Sequence, residues 1–147
     1  MTGLTQTNLK SLKKIYSGKV RDIYAIDEQR MLLVATDRLS AFDVILNEPI
    51  PDKGKILTAV SNFWFEKLKD IMPNHLTGVR VEDVVSAEDL PQVEGRSVVT
   101  KRLKALPIEA IVRGYLAGSG WKDYKSSGAI CGITLPAGLR EADKLPE

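Results

Sequence analysis

Three short segments place cations, glycines and hydroxyls at spacings that suit anionic ligands. Ser17-Gly18-Lys19-Val20-Arg21-Asp22 joins a glycine, which admits close backbone approach, to two cations spaced i, i+2. At the mouth of a hairpin such a turn can lie over a triphosphate. It lacks the GxxxxGK[ST] spacing of a P-loop, and its one glycine falls short of GxGxxG. A tight turn with solvated Lys19 and Arg21 fits the same residues. In residues 98–103 (VVTKRL), alternation puts Val99, Lys101 and Leu103 on one strand side and Val98, Thr100 and Arg102 on the other, so one cation faces inward. A strand lysine beneath a glycine turn is how kinase-like folds hold nucleotide phosphates. An edge strand with exposed cations is the alternative.

The third segment, residues 111–121 (IVRGYLAGSGW), ends an apolar strand on Arg113 and leads through small residues to Ser119 at a helix N-cap. Helix N-termini offer free N–H groups, and arginine grips phosphate or carboxylate bidentately, so the pair reads as an anion clamp. An ordinary capped turn with an ion-paired arginine also fits. Asp37, Arg38, Ser40 and Asp43 crowd seven positions beside an apolar strand, as a turn-fixing network or a substrate loop. His75 and Cys131 stand without catalytic neighbours in sequence and read as structural.

The elements that must carry these residues follow from periodicity. Residues 19–26 (KVRDIYAI) put Val20, Asp22, Tyr24 and Ile26 on one strand face, and residues 31–36 (MLLVAT) form a hairpin partner. Residues 37–43 read as a loop. Leu57, Val60, Trp64, Leu68 and Ile71 mark an amphipathic helix over residues 55–72, stopped by Pro73. Val79, Val81, Val84 and Val85 point to a strand, residues 98–103 to another and residues 108–113 to a buried one, followed by a short helix over 121–127. Strands and two helices in irregular order indicate α+β rather than alternating βαβ.

Composition sets the outer limits. The 147 residues are 44% hydrophobic and 27% charged, which fits a globular chain and excludes disorder and a bilayer-spanning run. Net charge is +2, so a phosphate site must be local, and neither nucleic acid nor membrane is expected as a partner. One cysteine and one histidine exclude an internal disulfide and a Cys/His zinc cluster, which suits a reducing cytoplasm. The start lacks the apolar region of a secretory signal. The chain stops at Lys144-Leu145-Pro146-Glu147 straight after a glycine-rich run, an abrupt end for a domain.

Taken in order, GKVRDIY at 18–24, ATDRLSAFDV at 35–44, PDKGKILT at 51–58 and IEAIVRGYLAGSGWKDY at 108–124 resemble the SAICAR synthetase family, over residues 12–147. The resemblance implies an α+β fold. An antiparallel-sheet N-terminal domain with a kinase-like or ATP-grasp-like nucleotide site would span residues 1–106, and the beginning of a second, ATP-grasp-like α+β domain residues 107–147. It implies a cytoplasmic, ATP- and Mg²⁺-dependent ligase of purine biosynthesis that joins aspartate to carboxyaminoimidazole ribonucleotide. The carboxylate would be activated as an acyl phosphate, with no protein nucleophile.

By the same resemblance Gly18, Lys19, Val20 and Arg21 would contact ATP, with Lys101 beneath and Leu103 near the adenine. Arg113 and Ser119 would hold the ribonucleotide 5′-phosphate, and Glu109 would be a substrate-side carboxylate. Asp37, Ser40, Asp43 and Lys55 would line the same cleft. Family members are roughly double this length, and the part beyond Glu147 would supply the Mg²⁺ ligands, a further lysine and a phosphate-gripping arginine. The chain is therefore expected to be a truncated part of a ligase that works with a C-terminal-half partner. The alternative is an inactive fragment that binds only nucleotide or phosphorylated ligand and, with apolar surface exposed, self-associates. A kinase-like phosphotransferase is disfavoured by missing HRD-type and DFG-type segments.

Overall fold

Alternation of buried and exposed side chains builds the main sheet of the computed structural model, which describes residues 3–145. The chain divides into two compact units, Met1–Lys104 and Ala105–Glu147. In the first, β1 (Lys13–Ser17), β2 (Arg21–Ala25) and β3 (Arg30–Ala35) are followed by a miniature hairpin, β4 (Ser40–Ala41) and β5 (Val44–Ile45). Then come α1 (Lys53–Lys67), a 3₁₀ turn (Val81–Asp83), the short α2 (Leu90–Val93) and β6 (Ser97–Lys101). The four-stranded sheet runs β1-β2-β3-β6, antiparallel throughout.

Asp22 and Tyr24 face the core, as the alternation of β2 requires, and Leu32, Val34 and Val99 join them. Leu9 and Val93 cover this face, with residues 79–85 packed around them. The segment before β1 is held to it by buried carboxylates. Asp22 Oδ2 accepts from the Thr7 hydroxyl at 2.7 Å, and Asp89 Oδ2 from the Ser11 hydroxyl at 2.6 Å. The opposite face, with Leu33, Ala35 and Val98, looks toward Leu57 and Phe65 of α1.

Several expected elements differ. The helix begins at Lys53 and ends at Lys67, and residues 68–72 continue only as turns, such as Ile71 N–H to the Leu68 carbonyl at 3.0 Å. Pro73 is therefore not the stop. The stripe Leu57, Val60, Trp64, Leu68 and Ile71 is exposed rather than buried. What α1 buries is Gly54, pressed against the Ala35 carbonyl.

The valines at 79–85 form no strand, because the edge of β6 is already taken. Lys101 N–H donates to the His75 carbonyl at 2.8 Å and Thr77 N–H to the Val99 carbonyl at 3.2 Å. Neither cation turns inward: Thr100 is buried, whereas Lys101 at the end of β6 and Arg102 just past it are exposed. Residues 37–43, expected as a loop, contribute β4 and a tight turn in which Phe42 and Asp43 both have positive φ, as hairpins with a right-handed twist demand.

The second unit contains α3 (Gly118–Ser127) and a hairpin of β7 (Ala129–Ile130) and β8 (Ile133–Thr134). Residues 108–113 are not a strand, and Val112 is 100% exposed. Within this unit β7 and β8 pair with each other, and the apolar run pairs with neither. Leu116 is buried, its N–H donating to the Asp143 carbonyl and its carbonyl accepting from Ala142 N–H, both at 2.8 Å. Gly128, at φ 70°, closes α3 in the left-handed region that favours glycine.

Candidate functional site

The Gly18–Val20 turn is held by its carbonyls. Arg38 Nη2 donates to the Gly18 carbonyl at 2.9 Å and Arg38 Nε to the Lys19 carbonyl at 3.0 Å. Thr36 donates to the Val20 carbonyl through N–H at 3.0 Å and hydroxyl at 2.8 Å. The Gly18 N–H donates to the Arg21 carbonyl at 2.8 Å, so with three successive acceptors also occupied the groups left for a ligand are the Lys19 and Val20 N–H donors and the Lys19 and Arg21 side chains, which suits an anion.

Arg38 is itself fixed by Asp22, 3.0 Å from Nη2. Burial works to raise the Asp22 carboxyl, but hydrogen bonds from Thr7, Ser17 and Arg38 outweigh it and hold the group well below the usual carboxylate range. Lys19 Nζ reaches Asp43 Oδ1 on the β4–β5 turn at 2.5 Å, which lowers the Asp43 carboxyl. The first and the acidic sequence segments thus meet.

Below the turn, a pocket of about 250 Å³ opens between the sheet and α1. Val20 and Arg21 line it, with Lys53, His75 and Arg96. Lys101 is rooted away from the turn. It sits at the opposite end of β6 from Ser97, about 13 Å along the strand, and its Nζ lies 3.4 Å from the Asn74 carbonyl. Leu103 is exposed beyond the strand.

Asp37 is buried and its carboxylate is fully engaged, by Leu4 N–H at 2.7 Å, Gly54 N–H at 2.9 Å and Arg96 Nη1 at 2.8 Å. Burial raises this carboxyl, and those three donors more than offset it. Its structural work is to join α1 to the sheet. Ser40 is half-buried in β4 opposite Ile45. Lys55 is exposed on the first turn of α1, 3.7 Å from Asp52.

In the second unit Glu109, Arg113 and Ser119 line a single concavity of about 410 Å³. Arg113 Nη2 donates to Ser119 Oγ at 3.3 Å. The N-cap of α3 is Ala117 rather than Ser119, which lies in the first turn. Gly118 and Gly120 lie against the Arg113 side chain, where a Cβ would come within 3.4 and 3.6 Å of it. Small residues therefore let the guanidinium lie on the helix start.

A family model described as SAICAR synthetase matches residues 14–147. The chain belongs to the SAICAR synthetase family. It is 78% identical over 139 residues to a phosphoribosylaminoimidazole-succinocarboxamide synthase of Chromobacterium violaceum, covering 95% of this chain and 49% of that protein. A solved SAICAR synthase from Saccharomyces cerevisiae, complexed with SAICAR, superposes with a TM-score of 0.89 at 42% identity. That match covers 98% of this chain and 52% of the other. A type-2 SAICAR synthetase in complex with ADP shares the fold, at TM-score 0.64 and 24% identity, over 90% of this chain and 46% of that one. The chain spans about half the length of the curated relatives it matches.

Gly18, Lys19 and Val20 form one turn that leads into Arg21 at the start of β2, Asp43 joins it through Lys19, and Glu109, Arg113 and Ser119 share one concavity. Sequence reasoning missed Arg38 as the holder of the turn, and Lys53, His75 and Arg96 as pocket walls. Arg38 carried a signal, since an arginine flanked by Asp37 and Asp43 invites a search for carbonyl partners. His75 carried none, because only the covered edge of β6 brings it to Arg21.

Proposed function

We propose that this chain supplies the ATP-covering turn and the ribonucleotide clamp of a ligase that joins L-aspartate to 5-amino-1-(5-phosphoribosyl)imidazole-4-carboxylate. The products are SAICAR, ADP and phosphate, in cytoplasmic purine (IMP) biosynthesis. The observation that carries the reading is the concavity in which Arg113 lies 3.3 Å from Ser119 Oγ beside Glu109. Guanidinium, hydroxyl and helix start together suit a phosphate monoester, and a relative 42% identical is complexed with SAICAR.

In the first step a substrate carboxylate oxygen attacks the γ-phosphorus of ATP, the bond to the β-phosphate oxygen breaks, and ADP leaves. In the second the aspartate amine attacks the acyl carbon, a proton leaves the nitrogen, and phosphate departs with the C–O electron pair. This chain's part is positioning and charge neutralisation. The Gly18–Val20 turn, with Lys19 and Arg21, lies over the nucleotide phosphates, and Arg113 and Ser119 hold the 5′-phosphate. Among the described residues no group of three or more His, Cys, Asp or Glu is placed to hold a metal ion by itself, so a Mg²⁺ ion here would depend on the nucleotide phosphates for most of its ligands.

Mixing the chain with the remaining half of the Chromobacterium violaceum relative tests the reading. ATP- and aspartate-dependent SAICAR formation is expected, and Arg113→Ala should weaken ribonucleotide binding far more than ATP binding. Formation of a stable complex without product, or equal weakening of both ligands, contradicts the assignment.

A further inference from the structure

We infer that His75 is a contact of the bound polyphosphate chain, neutral in the free protein and protonated once the phosphates are in place, so that binding takes up a proton. The inference rests on the nucleotide reading of the Gly18–Val20 turn and adds a residue and a pH dependence to it. Its basis is the composition of the pocket wall. Arg21 from β2, Lys53 from α1, Arg96 and His75 line the pocket, and no aspartate or glutamate lines it. Arg96 has a counter-ion in Asp37, at 2.8 Å. A cavity with cationic walls and no acid selects an anion of several charges.

His75 is mounted rigidly. Its ring stands edge-on to Phe65 of α1, with centroids 5.0 Å apart at 89°. Its carbonyl accepts from Lys101 N–H at 2.8 Å, and the following Leu76 bridges to Thr100. The groups around the imidazole are Phe65 on α1, Arg21 on β2 and Lys101 on β6. Burial first, then the charges of Arg21 and Lys101, keep it below the ordinary histidine range. A polyphosphate reverses the sign of that field, since its charge offsets both cations and favours the imidazolium. Between the free and bound midpoints the bound form then holds one more proton than the free form, and in that window affinity rises as pH falls, by at most about tenfold per pH unit.

The chain contains one histidine, so its imidazole NMR signals need no assignment. With inorganic tripolyphosphate as probe, the His75 titration midpoint is expected to move up on saturation. Tripolyphosphate affinity should depend more steeply on pH than it does for His75→Gln, which also corrects for titration of the probe itself. Binding with an unmoved midpoint, or with the same pH dependence in both proteins, overturns the inference and leaves the nucleotide reading standing. No binding at any pH overturns both.

Discussion

Arg38 Nη2 lies 3.0 Å from the buried Asp22 Oδ1 and 2.9 Å from the Gly18 carbonyl, so one guanidinium nitrogen couples the core of β2 to the Gly18–Val20 turn. The same side chain donates to the Thr5 and Lys19 carbonyls. The turn's shape is thus set by an arginine from a different sequence segment rather than by Gly18 alone, whose φ is not in the left-handed region.

Arg38→Ala strands the Asp22 carboxylate. A buried charge that loses its partner costs about 3–5 kcal/mol, and the low end applies here because Thr7, Ser17 and Lys14 remain on Asp22. Urea unfolding should show a loss near 3 kcal/mol. Arg38→Lys should recover part of that stability and still bind ATP weakly, because one ammonium cannot serve both turn carbonyls. Full ATP affinity in the lysine variant would show that the turn does not need the fork.

Lys19 and Asp43 form an exposed pair, and Asp43 competes with any phosphate for the ammonium. Asp43→Asn should therefore tighten ATP binding at low salt by a few-fold, the scale of an exposed ion pair, with the gain fading as salt screens it. Lys19→Ala should weaken binding. Calorimetric titration of the two variants giving the same affinity would remove Lys19 from the phosphate site.

Local pattern carried the parts of the fold with local causes. Alternation in β2 and β3 places Tyr24, Leu32 and Val34 in the core, and the run through Arg113 and Ser119 keeps those two side chains together. Patterns that needed a partner failed. The valines at 79–85 pack on the core while residues 75–77 take the β6 edge, residues 108–113 pair with no strand, and the α1 stripe is largely exposed. The pocket walls were illegible because Arg21, Lys53, His75 and Arg96 meet only through packing of α1 and the β6 edge on the sheet.

Acid should unfold the first unit through its buried carboxylates. Asp89 is pulled down to about 2 by Ser11, through hydroxyl and N–H, and by Lys10 N–H, and Asp22 and Asp37 are lowered as well. A carboxyl depressed in the folded state contributes stability that is present above its unfolded value near 4 and disappears as pH falls through the folded value. Unfolding measured at pH 6, 4 and 3 should show a plateau followed by a decline, shallower in Asp89→Asn. Equal stability at pH 6 and pH 3 would mean that these carboxylates do not latch the N-terminal segment.

Gly54 is the position at which α1 touches the sheet most closely. A Cβ there would overlap the Ala35 carbonyl oxygen, stand 2.9 Å from its carbon and come within 3.1 Å of Arg96 Nη1. In an ordinary helix alanine is favoured over glycine by up to about 1 kcal/mol. Here overlap with backbone decides the sign, because the carbonyl belongs to β3 and cannot move without disturbing the Thr36 N–H of the same peptide group, which donates to the Val20 carbonyl, and the Ala35 N–H, which donates to the Arg96 carbonyl. Gly54→Ala should lower stability by about 3 kcal/mol and also loosen Asp37, which accepts from the Gly54 N–H. Thermal unfolding can check this against Ser61→Ala, a helix substitution that avoids the close approach. A more stable Gly54→Ala protein would show that helix propensity outweighs the contact.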